Sequence, residues 1–171
     1  LGKMSHPVRG MLHGVAAAVS LVGAVLLLTL TPGGPTRRLS LFAFGLSLVA
    51  MFTTSSLYHS IPWQAEWKKR MQKLDHTMIT VLVAGTMTPI AAIVLDGWLQ
   101  WSTLSVQWGI VIFGVLYKAR TKVARHWVSV ALATTQGWLA IFIFWPLAER
   151  LPWTALLLIS VGGVLYTVGM V

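Results

Sequence analysis

Cysteine is absent from the 171 residues, which excludes disulfides, thiolate metal sites and a cysteine nucleophile, so any metal here takes nitrogen and oxygen ligands. Charge is scarce: 10% of the residues are charged and only four are acidic, where a soluble domain carries about 25% charged residues. No polar stretch is long enough to enclose a core of its own, so residues 1–171 read as a single membrane domain with no separate soluble part. An inverted repeat with paired Gly- or Pro-broken helices is also missing, which weighs against a transporter. Apolar sequence fills the chain instead, at 56% hydrophobic residues and a mean hydropathy of +0.75. This is the composition of an integral membrane protein. The formal net charge of +9 does not point to nucleic acid, because the Lys and Arg residues fall between apolar runs rather than along one face or in a tail.

The pattern predicts an all-α, polytopic membrane helical bundle with six spans at roughly 11–30, 39–60, 74–95, 101–117, 127–147 and 152–171. Lys3 and Arg9 precede the first apolar run, but that run is too long for a signal peptide and ends without a small-residue cleavage pattern. The turn signal TPGGPTRR closes the first span, and Pro62 stops the second. A basic loop with Lys68, Lys69, Arg70 and Lys73 then leads to the third span, which Thr88-Pro89 interrupts and Asp96-Gly97 ends. Trp98, Trp101 and Trp108 read as interfacial aromatics at the start of the fourth span, as do Tyr58 and Trp63 elsewhere. With the N-terminus in the cytoplasm, the inside segments hold Lys3, Arg9, Lys68, Lys69, Arg70, Lys73, Lys118, Arg120, Lys122 and Arg125, and the outside segments only Arg37, Arg38 and Arg150. Ten against three fixes that orientation.

Two ionisable residues then stand out at the cytoplasmic end. His59 closes the second span and Asp75 opens the third. Intramembrane ionisable groups cost about 2.5–3.5 kcal/mol each on insertion scales, which makes them functional candidates with a partner to be named. Ser55 precedes His59 by one helical turn on the same face, where its hydroxyl can orient the ring, hold a metal-bound water or act as a nucleophile. Plainer readings stand beside these: Ser55 back-bonding to its own helix, His59 in the headgroup region, and Asp75 as a helix cap or first-turn acid. Of the acids, Glu66, Asp96 and Glu149 fall in loops or at helix ends, leaving Asp75 as the one able to share a site with His59. His6 and His126 read as solvated, and His76 as turned about 100° from Asp75. His13 lies at the depth of His59, where it is either a supporting partner of that site or an interfacial snorkelling residue, the second being preferred. Gly162, Gly163 and Gly169 offer a surface for close packing of the sixth span.

The segments HPVRGMLHGVAAAVSLVGAVLLL, SSLYHS, KLDHTMI, AGTMTPI, the DGW turn and GWLAIFIFWPL together resemble, in order and over essentially the whole chain, the bacterial haemolysin III family. That family is related to the progestin and adipoQ receptors and is grouped with alkaline ceramidases among membrane metal-dependent hydrolases. The resemblance implies a seven-helix bundle with a cytoplasmic N-terminus in the cell's inner (plasma) membrane. Its signature is Ser-x-x-x-His on the second helix, Asp at the start of the third and His-x-x-x-His on the seventh. Ser55 and His59 match the first element and Asp75 the second. By resemblance, His59 is a zinc ligand, Asp75 is associated with the metal-bound water and Ser55 lies nearby. No His-x-x-x-His and no seventh span follow the sixth, so the chain carries one of three expected zinc histidines and is expected to be a fragment. The resulting expectation is zinc-dependent hydrolysis of a membrane lipid amide or ester from the cytoplasmic side. The alternatives are a pore-forming haemolysin, against which the lack of a continuous polar stripe weighs, and a non-catalytic receptor or regulator of membrane lipid state.

Overall fold

The computed structural model describes residues 7–121 and 126–170. Among them every regular element is helical: α1 (Pro7–Leu30), α2 (Pro35–Ser60), α3 (Ala65–Val94), α4 (Gly97–Arg120), α5 (His126–Trp138), a 3₁₀ segment (Leu139–Ile143), α6 (Phe144–Ala148) and α7 (Trp153–Met170). A bundle of helices is what the bilayer demands, because each helix satisfies its backbone hydrogen bonds within itself. Five helical stretches are long and apolar enough to cross a membrane, the fifth being Trp127–Ala148, which runs through α5, the 3₁₀ segment and α6. Trp153–Gly169 is a shorter apolar helix. The polytopic helical bundle expected from the apolar runs is the architecture observed.

Short turns join the helices. Pro35 starts α2 at the position where its missing N–H costs nothing, and Asp96 with Gly97, at φ +58°, turns α3 into α4. Pro89 lies inside α3 without ending it. Beside it Thr88 donates its hydroxyl to the Ala84 carbonyl at 2.7 Å and accepts the Trp108 indole N–H at 3.1 Å. Trp108 is therefore half-buried against α3 rather than set in an interfacial belt, whereas Trp98 and Trp101 are exposed.

The third helix differs most from expectation. It starts at Ala65, so the basic stretch Lys68–Lys73 is helix and not loop, and Glu66 takes the first-turn position. Asp75 lies ten residues farther on, about 15 Å along the axis. Neither helix capping nor the N-terminal dipole accounts for an acid at that depth.

α3 is the shared element, packing against α2, α4 and α5. Its buried positions Thr77, Thr80, Ala84, Met87 and Ala91 recur at helical spacing. Polarity is layered along it. At the end opposite the N-terminus, Met87, Ala91 and Leu95 meet Ile143, Leu147 and Leu156 in an apolar cluster. Midway, Gln136 donates to the carbonyls of Thr80 (3.1 Å) and Gln107 (3.2 Å), while Gln107 donates to the Gln136 carbonyl (3.1 Å), clamping α3, α4 and α5. The remaining end carries Arg9, Lys68, Lys69, Arg70, Lys73, Lys118 and Arg120 and is called the basic end below.

Candidate functional site

The basic end brings α1, α2 and α3 together around imidazole, hydroxyl and carboxylate groups. α1 approaches α2 closely because Gly10 has no side chain: a Cβ there would run into the Ser60 hydroxyl and stand 3.3 Å from its Cα. The approach is sealed by Ser56, whose hydroxyl donates to the Gly10 carbonyl at 2.8 Å. One turn along α1 from Gly10, His13 is carried onto α2, with Nδ1 2.7 Å from the Ser55 hydroxyl. His13 is half-buried and Ser55 is 5% exposed.

This contact corrects the expectation for two residues. His13 does not snorkel to the interface, and Ser55 is not confined to back-bonding within its helix. The ring of His13 also stands edge-on to Phe52, centroids 5.8 Å apart, and to His59, centroids 6.0 Å apart. His59 is half-buried, with Tyr58 beside it at 4.8 Å between centroids. Ser55 and His59 thus share a face of α2, as their spacing requires, and His13 closes that face from α1.

The hydrogen bond between His13 and Ser55 has two chemical forms. A ring protonated at Nδ1 donates to the serine oxygen and leaves the serine proton free for a third group. A ring protonated only at Nε2 accepts that proton instead. The imidazole tautomer therefore decides whether Ser55 can act as a donor into the site.

Asp75 is half-buried on α3 at the same end of the bundle, and its charge acts on Tyr58 of α2 and on Lys118 of α4. Among the described residues it takes part in no hydrogen bond or ion pair, so its carboxylate is not committed to holding the fold. His76, the next residue, is half-buried on α3. His6 and the side chain of His126 lie outside the described residues. Among those described, no three His, Cys, Asp or Glu side chains gather into a metal-binding group. Lys118, counted by the sequence only as an orienting charge, is a buried member of this end at 3% exposure. Its signal was its place in the last turn of an apolar helix, where burial and exposure are both open to a long side chain.

The family model described as haemolysin-III related matches residues 3–171. The chain is 31% identical over 161 residues to Hemolysin-3 of Bacillus cereus, covering 93% of this chain and 73% of that protein. To the Hemolysin-3 homolog of Bacillus subtilis (strain 168) it is 30% identical over 161 residues, covering 93% and 75%. No solved structure matches the chain.

Proposed function

This chain belongs to the haemolysin-III related family of membrane proteins, and from that premise we propose that it hydrolyses a lipid amide or ester at a site built from Ser55, His59 and Asp75. The observation that carries the reading is the Ser55 hydroxyl held at 2.7 Å by His13 beside the ring of His59, at the bundle end where Asp75 is free of structural bonds. The positive-inside count turns this end toward the cytoplasm, so a long-chain substrate reaches it from the inner leaflet of the plasma membrane.

Zinc is the cofactor that the resemblance implies, and His59 is the residue of this chain that would hold it. A catalytic zinc takes three protein ligands, and the described residues do not supply such a set. No step is therefore routed through the metal. When bound, it would supply a water of lowered pKa. The chain's own residues do the rest. Asp75 accepts a proton from a solvent water as the oxygen of that water attacks the substrate carbonyl, then returns the proton to the departing amine or alcohol. Ser55 donates its hydroxyl to the oxyanion that develops. His13, donating from Nδ1, keeps the Ser55 proton pointed away from itself and toward that oxyanion.

The relatives' printed name, Hemolysin-3, favours a second reading, membrane lysis, with a pore as its route. One preparation separates the two. Purified protein is placed in dye-loaded vesicles doped with lipid amides and esters, and products are followed by mass spectrometry while leakage is followed by fluorescence. The hydrolase reading expects product without leakage. Leakage without product would favour the pore and remove the catalytic assignment.

A further inference from the structure

Lys118 is a cation where a membrane helix has every means to keep one at the surface. It lies in the last turn of α4, two residues before the helix ends at Arg120, and its four-carbon stem could carry the ammonium outward. It is 3% exposed instead, with Nζ shielded and without a hydrogen-bond partner among the described residues. The charge of Asp75 acts on it, yet no ion pair joins the two. A buried polar group normally has a partner, and three N–H donors here have none.

Lys73 of α3 reaches over the same helix end. Its Nζ donates to the carbonyls of Lys118 at 3.0 Å and Thr121 at 2.6 Å. That bond pair satisfies carbonyls which a helix C-terminus leaves open and leaves one ammonium proton to spare. On the preceding turns of α3, Lys68, Lys69 and Arg70 are exposed, with Trp67 exposed and the Arg70 guanidinium 5.0 Å from the centre of its ring. Arg120 is exposed on α4. The arrangement is a buried ammonium near the contact of two membrane helices, with a second ammonium bonded to the end of the same helix and exposed side chains of Trp67, Lys68 and Arg70 on the preceding turns of α3, where Lys69 already pairs with Glu66 at 3.4 Å. Basic pockets between helices on the cytoplasmic face recognise anionic lipid head groups.

We infer that Lys118 and Lys73 bind the head-group phosphate of an anionic phospholipid that enters between α3 and α4 from the inner leaflet. Two ammonium groups and the Asp75 carboxylate sum to +1, which suits the single negative charge of a phosphodiester. Rotation of the Lys118 stem within the last helical turn brings its donors to the phosphate without unfolding the helix. Only the choice of leaflet rests on the orientation given above. The site requires no hydrolysis, so loss of turnover leaves it standing.

The test is retention of lipid by the purified full chain, taken from vesicles of equal phosphatidylglycerol and phosphatidylcholine and read by native mass spectrometry. Wild-type protein should retain phosphatidylglycerol at least tenfold over phosphatidylcholine. Lys118→Met should abolish that preference, and Lys118→Arg should keep most of it. Equal preference in wild type and Lys118→Met would overturn the assignment. If Lys118→Met does not fold, the wild type decides: absence of any phosphatidylglycerol preference is the contrary result, and a smaller preference in Lys73→Met is the supporting one. Retention unaffected by ten millimolar inorganic phosphate identifies the lipid as ligand, whereas full displacement would assign the site to free phosphate and contradict the lipid.

Discussion

Asp75→Asn should lower lipid turnover by about 10²–10⁴-fold, the range supplied by a positioned general base, while helix content and the thermal unfolding midpoint stay at wild-type values. The two halves of this expectation have separate causes. Asparagine keeps the size and shape of the side chain but cannot accept a proton from water at neutral pH. The fold is spared because Asp75 takes part in no hydrogen bond or ion pair among the described residues. A half-buried carboxylate also carries a desolvation cost that the amide lacks. Turnover and circular dichroism on the same purified sample check both halves. Unchanged turnover would remove Asp75 from the site, and a collapsed fold would make it structural.

The largest effect on stability is expected at the crossing of α2 and α3. A Cβ at Gly85 would overlap the Ser47 hydroxyl, stand 2.6 Å from the Ser47 Cβ and lie 3.4 Å from the Ala43 carbonyl oxygen. Ser47 cannot swing away cheaply, since it is 3% exposed and its hydroxyl donates to the Phe44 carbonyl at 2.7 Å. Gly85→Ala should therefore force the helices apart and destabilise the bundle by about 1–3 kcal/mol, the usual cost of overpacking a tight interface. Ser47→Gly removes the obstructing atoms and leaves the carbonyl contact at van der Waals range. The double variant should recover most of the loss, measured by thermal unfolding in one detergent. Failure of Ser47→Gly to rescue would show that the crossing is not set by this contact.

How much of this the sequence disclosed depends on the scale. The apolar runs marked the helices because a bilayer leaves the chain few ways to satisfy its backbone. Ser55 and His59 were legible as a pair because helical spacing alone puts them on one face. The start of α3 was misjudged because a basic, polar stretch after Pro62 looks like a loop, although Glu, Lys, Arg, Gln and Met are all strong helix formers. That error moved Asp75 to a helix start and made capping a plausible role for it. His13 could be read either as a partner of His59 or as a snorkelling residue, and the second was preferred because periodicity does not say which face of a lipid-exposed helix meets a neighbour. The pair Gly10 and Gly14, four residues apart beside it, was the small-residue signal that could have said so. Conversely, Gly162, Gly163 and Gly169 suggested a packing face on α7, and a Cβ at any of them would meet nothing within 4 Å. Glycines alone do not distinguish a close approach from an open surface. Close approaches lie instead at Gly10 and Gly85, opposite serines of α2, at Gly45 opposite Ala24, and at Gly137, where a residue of α7, Tyr166, does pack closely.

The central claim is that side chains from α2 and α3 act as one catalytic unit at the basic end, and a double-mutant cycle tests it most directly. Turnover of the same lipid would be measured for wild type, His59→Ala, Asp75→Asn and the double variant. Residues that act together lose their joint effect when either is removed. The account predicts that the double variant is no slower than the worse single variant. Losses that multiply, so that the double variant falls by the product of the two single effects, would show that His59 and Asp75 act independently and would contradict a shared site.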